Sequence, residues 1–254
     1  MKSKIYREYR PPLPLRSFVE CFWSLQVRAA EPHQKVPHRI LPDGCVDIIY
    51  NSSGAAAADF IGCMTVPQVI ALPNRTDYLG VRFRPGGAFP FFRFSMKETA
   101  DLRLSLSDLR GRAALREFEE INIGDDLGAG LRRLSKNLCA RVPRTDEAGA
   151  PVGKLVSLIE KNRGNISIER LSRLTGLSRQ HLTRKFGEQV GLSPKKFARI
   201  VRLRSAIARA RRLPEVDWAT LALDCGFYDQ AHLIAEFKEI AGLRPVDFLS
   251  RKLS

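Results

Sequence analysis

Short apolar runs broken by turn residues fill the first third of the chain, whereas the last third follows the three-to-four-residue rhythm of helices. Up to about Pro85 the runs are CFWSLQV, CVDIIYN, FIGCM, QVIAL and YLGVRF, set off by Pro, Gly, Asn and Asp, a pattern that predicts antiparallel strands. From Gly86 to Val142 the pattern lengthens, and RAALREFEEI and LGAGLRRLSKNL carry apolar residues at helical spacing. The first part, residues 1–142, is therefore expected to be an α+β domain with strands first and helices after. RVPRTDEAGAP, Arg141 to Pro151, is polar, small and aperiodic, and residues 143–151 are read as a linker.

From 152 to 254 everything predicts helix. VGKLVSLIEKN gathers Leu155, Val156, Leu158 and Ile159 on one face, and Gly164 can close that helix. Ser167, Ser178 and Ser193 are N-cap residues for three further helices, the last opened by Pro194 and ended by Pro214, while Asp217 and Asp229 can cap two more. The chain also repeats itself. HLTRKFGEQVGLSPKKF (181–197) returns fifty-one positions later as HLIAEFKEIAGLRPVDF (232–248), with eight of seventeen letters kept. The kept residues are apolar anchors, stops and starts: Leu182/Leu233, Phe186/Phe237, Gly191/Gly242, Pro194/Pro245 and Phe197/Phe248. Leu and Phe at i and i+4 make one buried stripe, so the repeat keeps a way of packing and lets the opposite face change. His181 and His232 are read as packing residues, and Trp218 as core.

Two short helices joined by a glycine-containing turn form a helix-turn-helix, whose second helix can enter the major groove of DNA. The first unit spans about 166–191, a linking helix about 194–212 and the second unit about 217–242. Opposite the Leu182/Phe186 stripe stand Gln180, Thr183, Arg184 and Gly187. Gln suits adenine, Arg suits guanine, and Thr offers a hydroxyl and a methyl. Arg179 precedes this row, and Lys185, Lys195, Lys196, Arg199 and Arg202 suit phosphates.

Charge strengthens that picture. Net charge is +15 from 42 basic and 27 acidic residues, a field that attracts nucleic acid or anionic lipid. Residues 1–151 contribute +5 and residues 152–254 contribute +10. A helical bundle with a solvated basic face would carry the same charge, but it would not need the doubled cap-turn-cap grammar. No apolar stretch approaches the roughly 18 residues of a membrane span, and no signal peptide is read, so a cytoplasmic protein without membrane association is expected. The five cysteines, Cys21, Cys45, Cys63, Cys139 and Cys225, are scattered without a C-x-x-C pair, and neither a disulfide framework nor a metal site is expected. No catalytic triad, carboxylate pair or nucleotide loop presents itself, and neither cofactor nor enzymatic activity is expected.

GLSRQHLTRKFGEQVGLSPKKF and ALDCGFYDQAHLIAEFKEIAGLRPVDF, joined by a basic helix, resemble the DNA-binding domain of the AraC/XylS family of bacterial transcription regulators over roughly residues 152–251. The resemblance implies an all-α domain of two helix-turn-helix units held by one helix and entering successive major grooves of double-stranded DNA. HRILPDGCVDIIYN and GVRFRPGGAF resemble the N-terminal domain that precedes it in a subset of that family, a domain without a defined effector. Family analogy implies a small β-barrel-like sensor with helices that can form a homodimer, and a regulator of the activator kind.

The two copies differ. Residues 152–212 carry a net +13 and residues 213–254 a net −3. The row of the second unit is Ala231, Ile234, Ala235 and Lys238, which can touch thymine methyls and, through Lys238, a phosphate. The family's hydrogen-bonding positions are only partly filled, by Gln230 and Tyr228. The first unit is expected to supply most of the affinity, the second to add register or contact RNA polymerase. In the first domain, Arg82 and Arg84 alternate with Val81 and Phe83 ahead of Gly86-Gly87, and Asp47 shares a strand face with Cys45 and Ile49, so Asp47, Arg82 and Arg84 are the candidates for a small-molecule effector. A plain strand-to-helix turn at the glycine pair is the competing reading, and LPDG (41–44) reads as a tight turn only. Two other functions remain open: a ligand-independent dimerising DNA binder, and a DNA-repair enzyme fused to a DNA-binding module, which would need an activated cysteine.

Overall fold

Alternation along the strands of the first domain sends successive side chains to opposite faces, and both faces are covered. A computed structural model describes residues 3–29, 31, 33, 35–51, 58–106, 126–142 and 150–250. The helix expected at RAALREFEEI (112–121) and most of the expected linker lie outside these residues. The strands are β1 (Ser3–Tyr9), β2 (Val19–Arg28), β3 (Val36–Ile40), β4 (Val46–Asn51), β5 (Ala58–Ile61), β6 (Gln68–Leu72), β7 (Thr76–Phe83) and β8 (Arg103–Ser105). Among them β1-β2-β7-β4-β5-β8 form an antiparallel sheet in that order, and β3-β6 form a two-stranded one. β1 and β8 are not assigned from the sequence: SKIYREY is mostly polar and charged, yet its backbone completes the sheet edge against β2.

One face of the large sheet presents Phe22, Ile48, Leu79, Val81 and Phe83, all buried under α1 (Phe89–Phe92) and α2 (Leu127–Ala140). Phe92 meets Phe60 and Phe83 edge-on at 5.7 and 5.6 Å between ring centroids, so truncating any of the three to Ala would cost about 3–5 kcal/mol. The other face turns Trp23, Leu25, Ile49, Tyr78 and Arg82 towards the β3-β6 sheet.

The second domain begins at α3 (Ala150–Lys161), two residues inside the expected linker. It continues with α4 (Ile168–Thr175), α5 (Arg179–Val190), α6 (Pro194–Ala210), α7 (Trp218–Asp224), α8 (Gln230–Ala241) and α9 (Pro245–Ser250). The caps are the expected ones. Ser167, Ser178, Ser193, Asp217 and Asp229 each accept a backbone N–H from the first turn of the helix they precede. Leu182, Phe186, Leu233 and Phe237 are fully buried, and Phe186 packs on Phe197 at 5.6 Å much as Phe237 packs on Phe248 at 5.4 Å. The repeat is thus one packing solution used twice. Trp218 is only partly buried, edge-on to Phe237 at 6.4 Å.

The domains touch along the loops of the small sheet. Cys63 is buried in the core of the second domain, with Leu41 and Ala100 beside it. The LPDG turn does more than turn: Gly44, at φ +78, lies so close to the Phe197 ring that a side chain there would collide with it. A short 3-10 helix, Met96–Thr99, packs against α5.

Candidate nucleic-acid interface

Helix α5 buries Leu182 and Phe186 and so exposes the opposite row, Gln180, Thr183 and Arg184, beside Arg179. Gly187 continues that row one turn on, without a side chain to expose. It is buried near the Lys97 side chain, which rises from the 3-10 helix of the first domain and, with Arg179, Gln180, Thr183 and Arg184, lines a concavity of about 800 Å³. Lys97 has no repeat or charge-run signal in the sequence, and only the fold brings it here.

The arginines of this row are held lightly. Arg184 is paired with Glu188 at 2.7 Å one turn along, and Arg179 with Glu169 at 3.4 Å. Both pairs are exposed to solvent, which screens them, so either arginine can exchange its partner for a base or phosphate at little cost. Lys185 lies 3.8 Å from Glu188 and Lys195 is exposed.

Three of the expected phosphate ligands are arranged otherwise. Lys196 binds Glu239 at 2.8 Å, and Arg199 grips Glu236 at 2.9 Å through Nε and Glu239 through Nη2. Arg202 donates to the Gly226 carbonyl at 3.1 Å with its guanidinium over the Phe227 ring. All three of these cations on the linking helix face the second unit, and Arg199 offsets the charge of buried Glu236 there. The hydrogen bonds that Arg199 donates to Glu239 and Glu236 hold its pKa above its ordinary value despite burial, and Arg199 and Lys196 pull the Glu239 carboxyl down to about 2. Arg209 adds Asp224 at 2.6 Å, and Asn165 donates to the Cys225 carbonyl at 3.0 Å. Neither was singled out from sequence, since charge on one helix does not reveal which neighbour it faces.

In the second unit Tyr228, Gln230, Ala231, Ala235 and Lys238 are exposed, Tyr228 at 85%, and Ile234 is half-buried. His232 accepts the Tyr228 backbone N–H on Nδ1 at 3.1 Å and lies edge-on to Phe227. It packs as expected, but His181 does not: it is exposed, because no aromatic ring precedes it.

Of the three effector candidates, Asp47 and Arg82 face each other across β4 and β7 and line a cavity of about 320 Å³ between the two sheets. Arg84 is not among them. Its strand ends at Phe83, and it turns outward to pair with Glu20 at 2.7 Å and to donate to the Arg16 carbonyl. Burial pushes the Asp47 carboxyl up against the pull of Arg82, while Asp47 and Asp43 outweigh the burial of Arg82 and keep it charged. Burial likewise drives the Cys21 and Cys63 thiols up to about 12 and raises those of Cys45 and Cys225, the reverse of what a nucleophilic cysteine requires. Among the described residues no cluster of His, Cys, Asp and Glu could hold a metal ion, and no helix is long and apolar enough to cross a membrane.

Comparison with known proteins bears on both halves. Residues 7–105 match a family described as a domain of unknown function (DUF6597), and residues 171–251 match a helix-turn-helix domain. An uncharacterised HTH-type transcriptional regulator of Haemophilus influenzae is 30% identical over 94 residues, 37% of this chain and 31% of the relative, so the chain spans about a third of that protein. The crystal structure of a probable AraC family transcriptional regulator from Rhodopseudomonas palustris is 31% identical over 41% of this chain and 97% of its own, with a TM-score of 0.36. ToxT from Vibrio cholerae is 14% identical over 87% of this chain and 98% of its own, with a TM-score of 0.43. Residues 171–251 thus belong to a helix-turn-helix family of DNA-binding transcriptional regulators, of the AraC/XylS type that the sequence resembles, and residues 7–105 belong to a domain family of unknown function.

Proposed function

We propose that this regulator reads two successive major grooves on one face of DNA, with α5 in one and α8 in the next, under the control of a small molecule held by the first domain. The observation that carries the reading is the exposed row Gln180, Thr183 and Arg184, held rigid by the buried Leu182/Phe186 stripe and duplicated in frame by α8. The seventeen residues of α6 span about 25 Å, which with the width of the units suits the roughly 34 Å between grooves one turn apart. Base edges fall to Arg179, Gln180, Thr183 and Arg184 in the first unit and to Tyr228, Gln230, Ala231, Ile234 and Ala235 in the second. Lys185, Lys195 and Lys238 remain the phosphate ligands, and Lys196, Arg199 and Arg202 fix the angle between the units.

The first unit supplies most of the affinity, because its row carries the better donors. The second, apolar and net acidic, supplies register and is the surface left for RNA polymerase. Selecting bound duplexes from a random pool, with salt dependence measured on the winners, tests this. The expected result is two half-sites about 10 base pairs apart with more information in one, and a single half-site would overturn the two-groove reading.

A further inference from the structure

The cavity between the two sheets of the first domain has the walls of a ligand site and is wired by chain alternation to both DNA-reading helices. Trp23, Leu25, Ile49, Ile70, Leu72 and Tyr78 make it largely apolar and aromatic. The Trp23 indole lies flat across Gly80, where any side chain would collide with it, and its Nε1 donates to Asp47 at 2.9 Å. Its volume, about 320 Å³, is at the low end of the range for small-molecule sites.

The charges in this wall are already matched. Arg82 donates to Asp47 at 3.3 Å and stands 3.8 Å from Asp43, and Arg103 pairs with Asp59. A carboxylate entering here would find no uncompensated cation, and an ammonium would face Arg82. An ion would give up its hydration with no counter-charge in return. One polar group is left over: the His38 imidazole lines the cavity, half-buried, with no side-chain hydrogen-bond partner among the described residues.

The same strand reaches outward. His38 and Ile40 of β3 line the cavity, while Arg39 between them donates to the carbonyl of Ala241, the last residue of α8, at 3.1 Å. Met64 lines the cavity, while Cys63 beside it sits against Gly191, the C-cap of α5. Each DNA-reading helix is therefore touched at its C-terminal end by a residue whose chain neighbour forms the cavity wall.

We infer that the cavity binds an uncharged, mostly apolar ring compound carrying one hydrogen-bonding group that meets His38, and that its occupancy reaches α5 through Met64-Cys63 and α8 through His38-Arg39-Ile40. This rests on the proposed control by a small molecule and names the ligand class and the route. A molecule that fills the wall shifts β3 and the Cys63 segment as units, because a packed strand does not deform side chain by side chain. The two helix ends then change angle together.

The test uses the full chain and three probes that share a naphthalene ring in isothermal titration calorimetry: 2-naphthol, 2-naphthoate and 2-naphthylmethylammonium. Saturable binding of 2-naphthol at least tenfold tighter than either ion is expected. His38→Leu should weaken it about tenfold, and Ile70→Trp, which fills the space, should abolish it with the circular dichroism spectrum unchanged. An ion that binds as well as the neutral probe, or no binding by any of the three, overturns the ligand class. For the route, fluorescence anisotropy on a selected duplex should show a DNA affinity that 2-naphthol changes in the wild type and changes less in Arg39→Ala, where only the Met64-Cys63 route remains. An equal change in both proteins, or none in either at saturating naphthol, overturns it. Failure of the wild type to bind any duplex without ligand would instead sink the DNA-reading proposal and leave the calorimetric result standing.

Discussion

Arg184 and Arg199 are both arginines on basic helices, yet they stand in opposite situations. Arg184 is exposed and carries only an i,i+4 partner, whereas Arg199 is half-buried and clamped by two glutamates. Arg184→Ala should therefore cost about 1–3 kcal/mol of specific DNA affinity and relax preference at one base pair, read by anisotropy on a panel of single-base variants. Arg199→Ala should show first in thermal unfolding, because it leaves Glu236 buried without its cation. His38 makes a different prediction. Burial, helped by Lys4 and Arg82, lowers its pKa from 6.5 to about 4. Between those values the unfolded chain binds more protons than the folded one, so stability is full above about pH 6.5 and falls as the pH drops towards 4. His38→Leu should flatten that slope in denaturant titrations. The sequence did not carry these distinctions: composition showed cations in a row, and only packing decided which of them find a carboxylate.

At the scale of elements the sequence was far more legible. Caps, stops and the Leu/Phe stripe are local devices, acting within one turn or between neighbouring helices, so Ser178, Gly191 and Pro194 could be read directly. β1 and β8 were not legible, because an edge strand is completed by pairing with a distant partner rather than by its own pattern. The start of α3 was missed by two residues, since Ala150-Pro151 follows a polar stretch and Pro suits a first helical turn. Ser178→Ala should cost about 1 kcal/mol of stability, and Asp229→Ala about the same, in chemical denaturation. Asymmetry between the units belongs here too. Gln230→Ala or Lys238→Ala should weaken DNA binding less than Arg184→Ala does, and equal losses would remove the first unit's primacy.

For the molecule as a whole, the decisive fact is that the first domain rests on the C-terminal ends of α5 and α8. Gly191 is the tightest point: at φ +90 it needs glycine for its backbone, and it also has no room for a side chain beside Cys63 and Met96. Gly191→Ala should lower the unfolding temperature and loosen the domain contact, seen as faster amide exchange in the Met96–Thr99 turn than in the wild type. Gly176, which also caps a helix with positive φ, has open space around it. Gly176→Ala should cost stability without changing exchange in that turn.

Because β3 has a two-residue period, inward and outward duties alternate along it. Inserting a single residue near its start would turn His38 and Ile40 towards the helices and Arg39 into the cavity, reversing message and messenger at once. Inserting two would restore the parity. The strand works as a parity code, and homologous regulators that lengthen this stretch while retaining its control are expected to do so in steps of two.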